Sequence, residues 1–312
     1  MKAARIEKYG DASVVAIIRD APRPAAGSGT VLVEVHAASL NPADSSIRSG
    51  YMHQMMPLTF PAVLGIDIAG VVVEADPAAS HLTTGDRVYG TASVMAGGSG
   101  AFAEFATVPA GMLARAPAGL SFLEAAALPL AGVSALQALE MLKLSKGSSV
   151  FIQGGSGGIG TFAIPMAKRL GARVIASCRG SAMDYVKSLG ADQVVDFEKT
   201  TLPGNIRDCD AVFDTVGGAA YKSAFTVLKK GGIIVSMAAP PDADLAAKLG
   251  VTALGAMTQA TSERLDRLSH LVADGTLKVH IDRVFPLDEI GQAFRAREAG
   301  HVKGKIVLQI GK

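Results

Sequence analysis

The sequence predicts an α/β protein in which a doubly wound parallel sheet is joined to a second, β-rich unit. Three observations lead there. Beyond residue 121 short apolar runs alternate with helical stretches, the pattern of βαβ units. Before it, strand-like runs are cut by Pro and Gly at close intervals. The chain has 312 residues, about twice the ~150 of a typical domain, so two domains are the default. With 49% hydrophobic and 19% charged residues it can bury two sizeable cores.

The elements follow in order. Residues 31–36 alternate apolar and polar as a half-buried strand does, and 69–74 form a valine-rich run. Thr84-Gly85-Asp86 opens a turn before Arg87-Val88-Tyr89, and 101–108 reads as a strand after a glycine-rich loop at 97–100. An Ala- and Leu-rich helical run covers 123–142, with Pro129 and Gly132 expected to interrupt it. Strand 149–153, helix 159–171, strand 174–177, helix 181–189, strands 193–196 and 211–214, helix 219–229 and strand 233–237 come next. A further strand is expected at 251–256. An amphipathic helix at 262–273 then precedes strand 279–285, helix 288–297 and strand 305–310.

Composition excludes some classes of function. The net charge is +2 with the signs interspersed, and 5% of residues are aromatic, so a nucleic-acid partner is not expected. No run approaches the ~18 apolar residues of a membrane span. The first ten residues lack the apolar core of a signal peptide. Cys178 and Cys209 make neither a disulfide framework nor a metal cluster, which suits a reducing cytoplasm.

The strongest chemical signal is Gly154-Gly155-Ser156-Gly157-Gly158-Ile159-Gly160, set between an apolar strand and a helix. Glycines allow the tight turn and the close approach of backbone to a pyrophosphate, and the helix N-terminus offers free N–H groups. This context marks a Rossmann dinucleotide site, with Gly155, Ser156, Gly157, Gly158 and Ile159 as phosphate contacts. At the end of the second strand, Ser177 and Arg179 stand where an NAD-binding site would carry an acid; residues 176–181 contain none. A guanidinium there suits a 2′-phosphate. One charge-assisted hydrogen bond of ~1.5–3 kcal/mol would favour NADPH by roughly ten- to a hundred-fold.

Three further segments carry a resemblance: Ser39-Leu40-Asn41-Pro42-Ala43-Asp44, Val63-Leu64-Gly65-Ile66-Asp67-Ile68-Ala69-Gly70, and Thr84-Gly85-Asp86-Arg87-Val88. With the glycine loop, Ser188-Leu189-Gly190-Ala191-Asp192 and the tail Gly304-Lys305-Ile306-Val307-Leu308, the chain resembles the medium-chain dehydrogenases/reductases. The match is to the zinc-independent quinone oxidoreductase (zeta-crystallin-like) branch and covers essentially the whole chain. The resemblance implies a GroES-like catalytic domain from 1–119 with 263–312, a Rossmann NADPH-binding domain at 120–262, and an active site in the cleft between them. Zinc-dependent relatives carry cysteine at the position of Asn41 and Gly-His-Glu at Gly65-Ile66-Asp67, so no metal is expected. Without a Lewis acid, quinones and conjugated ketones are the suitable substrates, because they delocalise the charge that hydride brings.

By the same resemblance Asn41 and Tyr51 orient the substrate carbonyl, and Asp44 and Arg48 shape the loop beneath. Ser46 replaces a tyrosine common in the family, which removes one candidate proton donor. Met52, Met55 and Met56 could line an adaptable apolar pocket, and Asp67 is expected to be structural. Thr215, Val216 and Gly217 should border the ribose or pyrophosphate, Met237 and Ala238 the nicotinamide, and Phe197 the adenine. Lys303 is expected to approach the cofactor from the tail.

Other readings compete. A short-chain dehydrogenase would need Tyr-x-x-x-Lys, and neither Tyr185 nor Tyr221 has lysine four residues on. An enoyl-thioester or other small-enone reductase, or a non-catalytic NADPH-responsive protein, would share the cofactor site. The free edge of the strand at 251–256 suggests a homodimer.

Overall fold

In the computed structural model, residues 1–54, 57–76 and 81–311 are described; Met55 and Met56 lie outside them. The strands in chain order are β1 (Ala3–Ile6), β2 (Ala16–Ile18), β3 (Thr30–Leu40), β4 (Ala62–Val63), β5 (Asp67–Ala75), β6 (Arg87–Thr91), β7 (Phe105–Pro109) and β8 (Leu113–Arg115). They continue as β9 (Ser149–Ile152), β10 (Arg173–Cys178), β11 (Gln193–Asp196), β12 (Cys209–Asp214), β13 (Leu228–Ser236), β14 (Thr252–Gly255), β15 (Ile281–Pro286) and β16 (Lys305–Gln309). The helices are α1 (Pro42–Ser49), α2 (Phe122–Ala126), α3 (Pro129–Leu142), α4 (Gly158–Arg169), α5 (Met183–Ser188), α6 (Gly218–Ala224), α7 (Ala243–Leu249), α8 (Ser262–Ala273) and α9 (Ile290–Glu298).

The chain divides into two compact units. One is Met1–Leu130, Ala260–Ala273 and Val279–Lys312; the other is Ala131–Gln259 with Asp274–Lys278. The first unit is β-rich. Its main sheet runs β15-β16-β3-β5-β6-β8 with β7 also on β3, and a small sheet runs β2-β1-β4. The long strand β3 is antiparallel to β16, β5 and β7. One core gathers Val31, Val33, Val35, Ile68, Val88, Phe102, Leu113, Phe294 and Leu308. Pairing of β3 with both β5 and β16 places the ends of all three side by side: Ser39 opposite Asp67 and Leu40 opposite Ile306.

The second unit is a six-stranded sheet, order β11-β10-β9-β12-β13-β14, all parallel. Its order reverses between β9 and β12, and ligands of such sheets bind at the carboxyl ends of the strands beside that switch point. Phe151, Ile175, Val212, Phe225 and Ile234 fill part of its core.

Several elements differ from expectation. The helix expected at 219–229 ends at Ala224, a 3-10 turn covers Phe225–Val227, and β13 has already begun at Leu228. Gly231, with φ +79°, and Gly232 have poor helical propensity, and Cys209 pairs with Leu228. The strand expected at 101–108 starts at Phe105; before it, Ala101 and Phe102 donate to the Gly65 and Leu64 carbonyls instead of to a ladder. The helix expected at 181–189 is α5, led in by a 3-10 turn. The break at Pro129 is present, as the start of α3, whereas Gly132 lies within that helix.

The largest correction concerns Asp44 and Arg48, expected to shape a loop and found in the helix α1. Asn41 is its N-cap, Pro42 supplies a preset φ in the first turn, and Gly50 closes it in the left-handed region at φ +80°. The signals were all present in the sequence.

Candidate active site

In the β-rich unit, three chain segments distant in sequence bring a buried polar cluster together. Ser39 Oγ donates to Asp67 Oδ2 at 2.9 Å, and Asn41 Nδ2 donates to the same oxygen at 2.9 Å. Lys305, from β16, places its Nζ 2.5 Å from Asn41 Oδ1 and 3.2 Å from Asp67 Oδ2. The Leu130 N–H takes Asp67 Oδ1 at 2.9 Å. Asp67 and Ser39 are fully buried and Asn41 and Lys305 nearly so. An ammonium and a carboxylate withdrawn from water survive when each is paired and otherwise hydrogen-bonded, and here both are.

This arrangement fixes the asparagine. An amide has one accepting and one donating end; the ammonium can only donate and the carboxylate only accept. Asn41 therefore turns its carbonyl to Lys305 and its NH2 to Asp67, and one N–H of Nδ2 remains over.

Beneath lies Asp44, whose Oδ2 accepts from the Asn41 N–H at 2.7 Å, as a capping-box residue does. Its Oδ1 has no partner among the described residues, and burial pushes the carboxyl up to about 7, opposed by the Asn41 hydrogen bond. Arg48 is buried against another helix: Nη2 pairs with Glu298 at 2.9 Å, Nε donates to the Gly10 carbonyl, and the guanidinium lies 4.5 Å over the Phe294 ring. It ties α1 to α9. Tyr51 is 86% exposed and shares no hydrogen bond with the cluster. Met52 packs on the apolar core.

In the second unit the glycine loop lies at the carboxyl end of β9. Gly154 has φ +73°, and a Cβ on Gly160 would stand 2.4 Å from the Gly154 carbonyl oxygen, so α4 meets the loop closer than any side chain permits. The Gly155 N–H is tied to the Ser177 carbonyl at 2.8 Å, linking the loop to β10. Gly157 caps the twelve-residue α4 with no side-chain hydrogen bond. The first N–H groups of that helix thus have no capping side chain, which fits a pyrophosphate.

The next strand ends complete a rim. Asp214, fully buried, is a residue that sequence reasoning passed over. Its Oδ1 accepts from the Val216 and Gly217 N–H groups, each at 3.0 Å, and Oδ2 accepts from Ser236 Oγ at 2.5 Å. Ser236 Oγ in turn accepts from the Ala238 and Ala239 N–H groups. One carboxylate so shapes both turns, 215–217 and 237–239, where contacts were expected. Thr215 Oγ1 donates to the Gln153 carbonyl, Val216 is 55% exposed, and Met237 N–H donates to the Asp214 carbonyl. Arg179 Nη1 pairs with Glu198 Oε1 at 2.5 Å, and Phe197 is half exposed beside it.

Lys303 lies in the other unit, where its N–H donates to Asp282. Lys305, two residues on, is the lysine that joins a polar cluster. In sequence it is only a lysine opening an otherwise apolar strand, Lys305-Ile306-Val307-Leu308.

Residues 27–118 match the family model described as an alcohol dehydrogenase GroES-like domain, and 189–308 match a zinc-binding dehydrogenase model. The chloroplast envelope quinone oxidoreductase homolog of Arabidopsis thaliana is 31% identical, with 99% of this chain and 98% of the relative covered. The chloroplastic NADPH-dependent alkenal/one oxidoreductase of the same plant is 32% identical over 99% of this chain and 79% of its own. The solved quinone oxidoreductase from Coxiella burnetii superposes with a TM-score of 0.91 at 34% identity, covering 99% of both chains. With both domain types, the strand order and near-full-length relatives in agreement, the chain belongs to the medium-chain dehydrogenase/reductase superfamily, in its quinone oxidoreductase branch.

Proposed function

We propose that the protein is an NADPH-dependent reductase that passes hydride to quinones or α,β-unsaturated ketones without a catalytic zinc. The observation that carries the reading is the Lys305–Asn41–Asp67 cluster. Two of its members, Asn41 and Asp67, stand where the family resemblance puts the cysteine and the glutamate of Gly-His-Glu in zinc-dependent relatives. Zinc needs imidazole, thiolate or carboxylate donors in tetrahedral array. Here an amide and a carboxylate are already engaged by an ammonium 2.5 and 3.2 Å away. The residues do not fit that metal.

The nicotinamide cofactor, when bound, supplies the hydride. The chain's own residues hold and orient. The uncapped start of α4 and the Gly154–Gly160 backbone take the pyrophosphate, and Arg179 with Ser177 takes the phosphorylated ribose. Asn41, held by Lys305 and Asp67, offers its remaining N–H to the substrate carbonyl oxygen, where negative charge grows as hydride arrives. Because the amide is fixed beforehand, no reorganisation is needed at that moment. Tyr51, which is exposed, supplies apolar surface beside the substrate. The relatives named for quinones and for alkenals or enones support this substrate class. Among the described residues no helix is long and apolar enough to cross a membrane; cytoplasmic residence and a homodimer belong to the same proposal.

Chelator-treated protein should oxidise NADPH when offered a panel of quinones and short enones, followed by nicotinamide absorbance. Turnover abolished by the chelator and restored by zinc would overturn the metal-free reading. NADPH binding with no turnover of any acceptor would overturn the reductase reading.

A further inference from the structure

We propose that Glu198 sets the cofactor preference of this protein, acting as an acid lent by a neighbouring strand against Arg179. The inference rests on the reading that the Gly154–Gly160 loop binds a nicotinamide dinucleotide, and it deepens that reading at the adenosine ribose.

Residues 176–181, at the end of β10, contain no acid. The fold supplies one from elsewhere. Strands β10 and β11 are parallel, with Cys178 beside Asp196, and the Phe197 N–H donates to the Cys178 carbonyl at 3.2 Å. The turn that follows is fixed by Asp196. Its carbonyl accepts from the Lys199 and Thr200 N–H groups, and its Oδ1 accepts from the Glu198 N–H at 3.1 Å. Glu198 is thereby held against the end of β10, where its Oε1 meets Arg179 Nη1 at 2.5 Å. The Phe197 ring lies 5.4 Å from the guanidinium and is half exposed, an apolar plate beside the charged pair. All of this sits at the carboxyl edge of the sheet, one strand from the glycine loop.

The pair is exposed enough to exchange: the arginine and glutamate side chains are 36% and 47% accessible. Such a pair contributes little stability and yields readily to a better ligand. A 2′-phosphate is a better ligand for the guanidinium, with up to two charges and a bidentate fit. To bind, however, it must displace Glu198 and then sit beside a carboxylate of its own sign. A 2′-hydroxyl asks for the reverse. It donates to Glu198 while Arg179 stays paired, so NADH is admitted rather than rejected. Glu198 therefore lowers the selectivity for NADPH that Arg179 alone would give.

The test separates binding from turnover. Wild type, Glu198→Gln and Glu198→Ala are titrated calorimetrically with 2′,5′-ADP and with 5′-AMP, and kcat/KM is measured with NADPH and NADH. Removing one water-screened like charge at about 4 Å should tighten 2′,5′-ADP about fivefold. Losing the charged acceptor should weaken 5′-AMP, so the ratio of NADPH to NADH kcat/KM rises about tenfold. An unchanged ratio in both folded variants overturns the role of Glu198 and leaves the cofactor reading intact. A wild type that binds neither nucleotide overturns the cofactor reading itself, and the inference with it.

Discussion

At the residue scale, Lys305 decides what Asn41 can do. The ammonium and the Asp67 carboxylate leave the amide one orientation, so removing the ammonium frees the amide to rotate and leaves Asp67 buried beside neutral partners only. Lys305→Met, close in size, should cost about 3 kcal/mol of stability, as breaking a buried pair does. It should also lower kcat with quinone about tenfold or more, because a misplaced catalytic group is costly, while cofactor binding in the other unit stays as it was. Lys305→Arg keeps charge and donors and should recover part of kcat. A Lys305→Met protein that is destabilised but keeps full kcat would reduce the lysine to a structural part. None of this could be read from the chain. Asn41, Asp67 and Lys305 stand far apart in sequence, and a lone lysine opening an apolar strand reads as an edge residue. Only the pairing of β3 with both β5 and β16 brings the three together. Glu198 was hidden for the same reason, since its partner Arg179 lies across a strand pairing. The glycine loop, by contrast, was legible because strand, turn and helix N-terminus are consecutive.

At the scale of elements, α1 shows how a helix can carry a titration. Its cap places Asp44 under Asn41 in a buried position, and burial lifts that carboxyl from 3.8 to about 7. In the unfolded chain the group has lost its proton above about pH 4; in the native state it keeps it to near 7. The native state thus binds more protons across that window, and stability must fall as pH rises through it, then level off. The slope is at most about 1.4 kcal/mol per pH unit. Asp44→Asn retains an oxygen to accept the Asn41 N–H but cannot titrate. Urea midpoints measured near pH 5 and near pH 7.5 should differ clearly in wild type and much less in Asp44→Asn. Equal differences in both would assign the slope to other groups. The helix itself is readable from Asn41, Pro42, Asp44 and Gly50, which supply its N-cap, preset φ, capping-box acid and left-handed stop. The early start of β13 was harder, because Thr226-Val227-Leu228 continues a helical apolar period and only Gly231 and Gly232 argue against it.

At the scale of the whole molecule, the parallel sheet leaves a strand to be accounted for. Among the described residues, β14 pairs with β13 on one side only. The Ala256 N–H donates inward to the Ser236 carbonyl, and in a parallel strand the donors alternate. The N–H groups of Ala253 and Gly255 therefore face outward, on a short edge flanked by Met257, which is 67% exposed. Such an edge invites a second strand, and a two-fold axis beside it would let an identical copy provide one. Light scattering at micromolar concentration should give twice the chain mass. Ala253→Pro removes an outward donor and no inward one, so it should leave the fold and the thermal transition nearly unchanged while giving monomers. A monomeric wild type would dismiss the edge as an interface. A dimer that survives Ala253→Pro would move the interface to another face of the molecule, because a strand pairing across β14 cannot lose that donor without weakening.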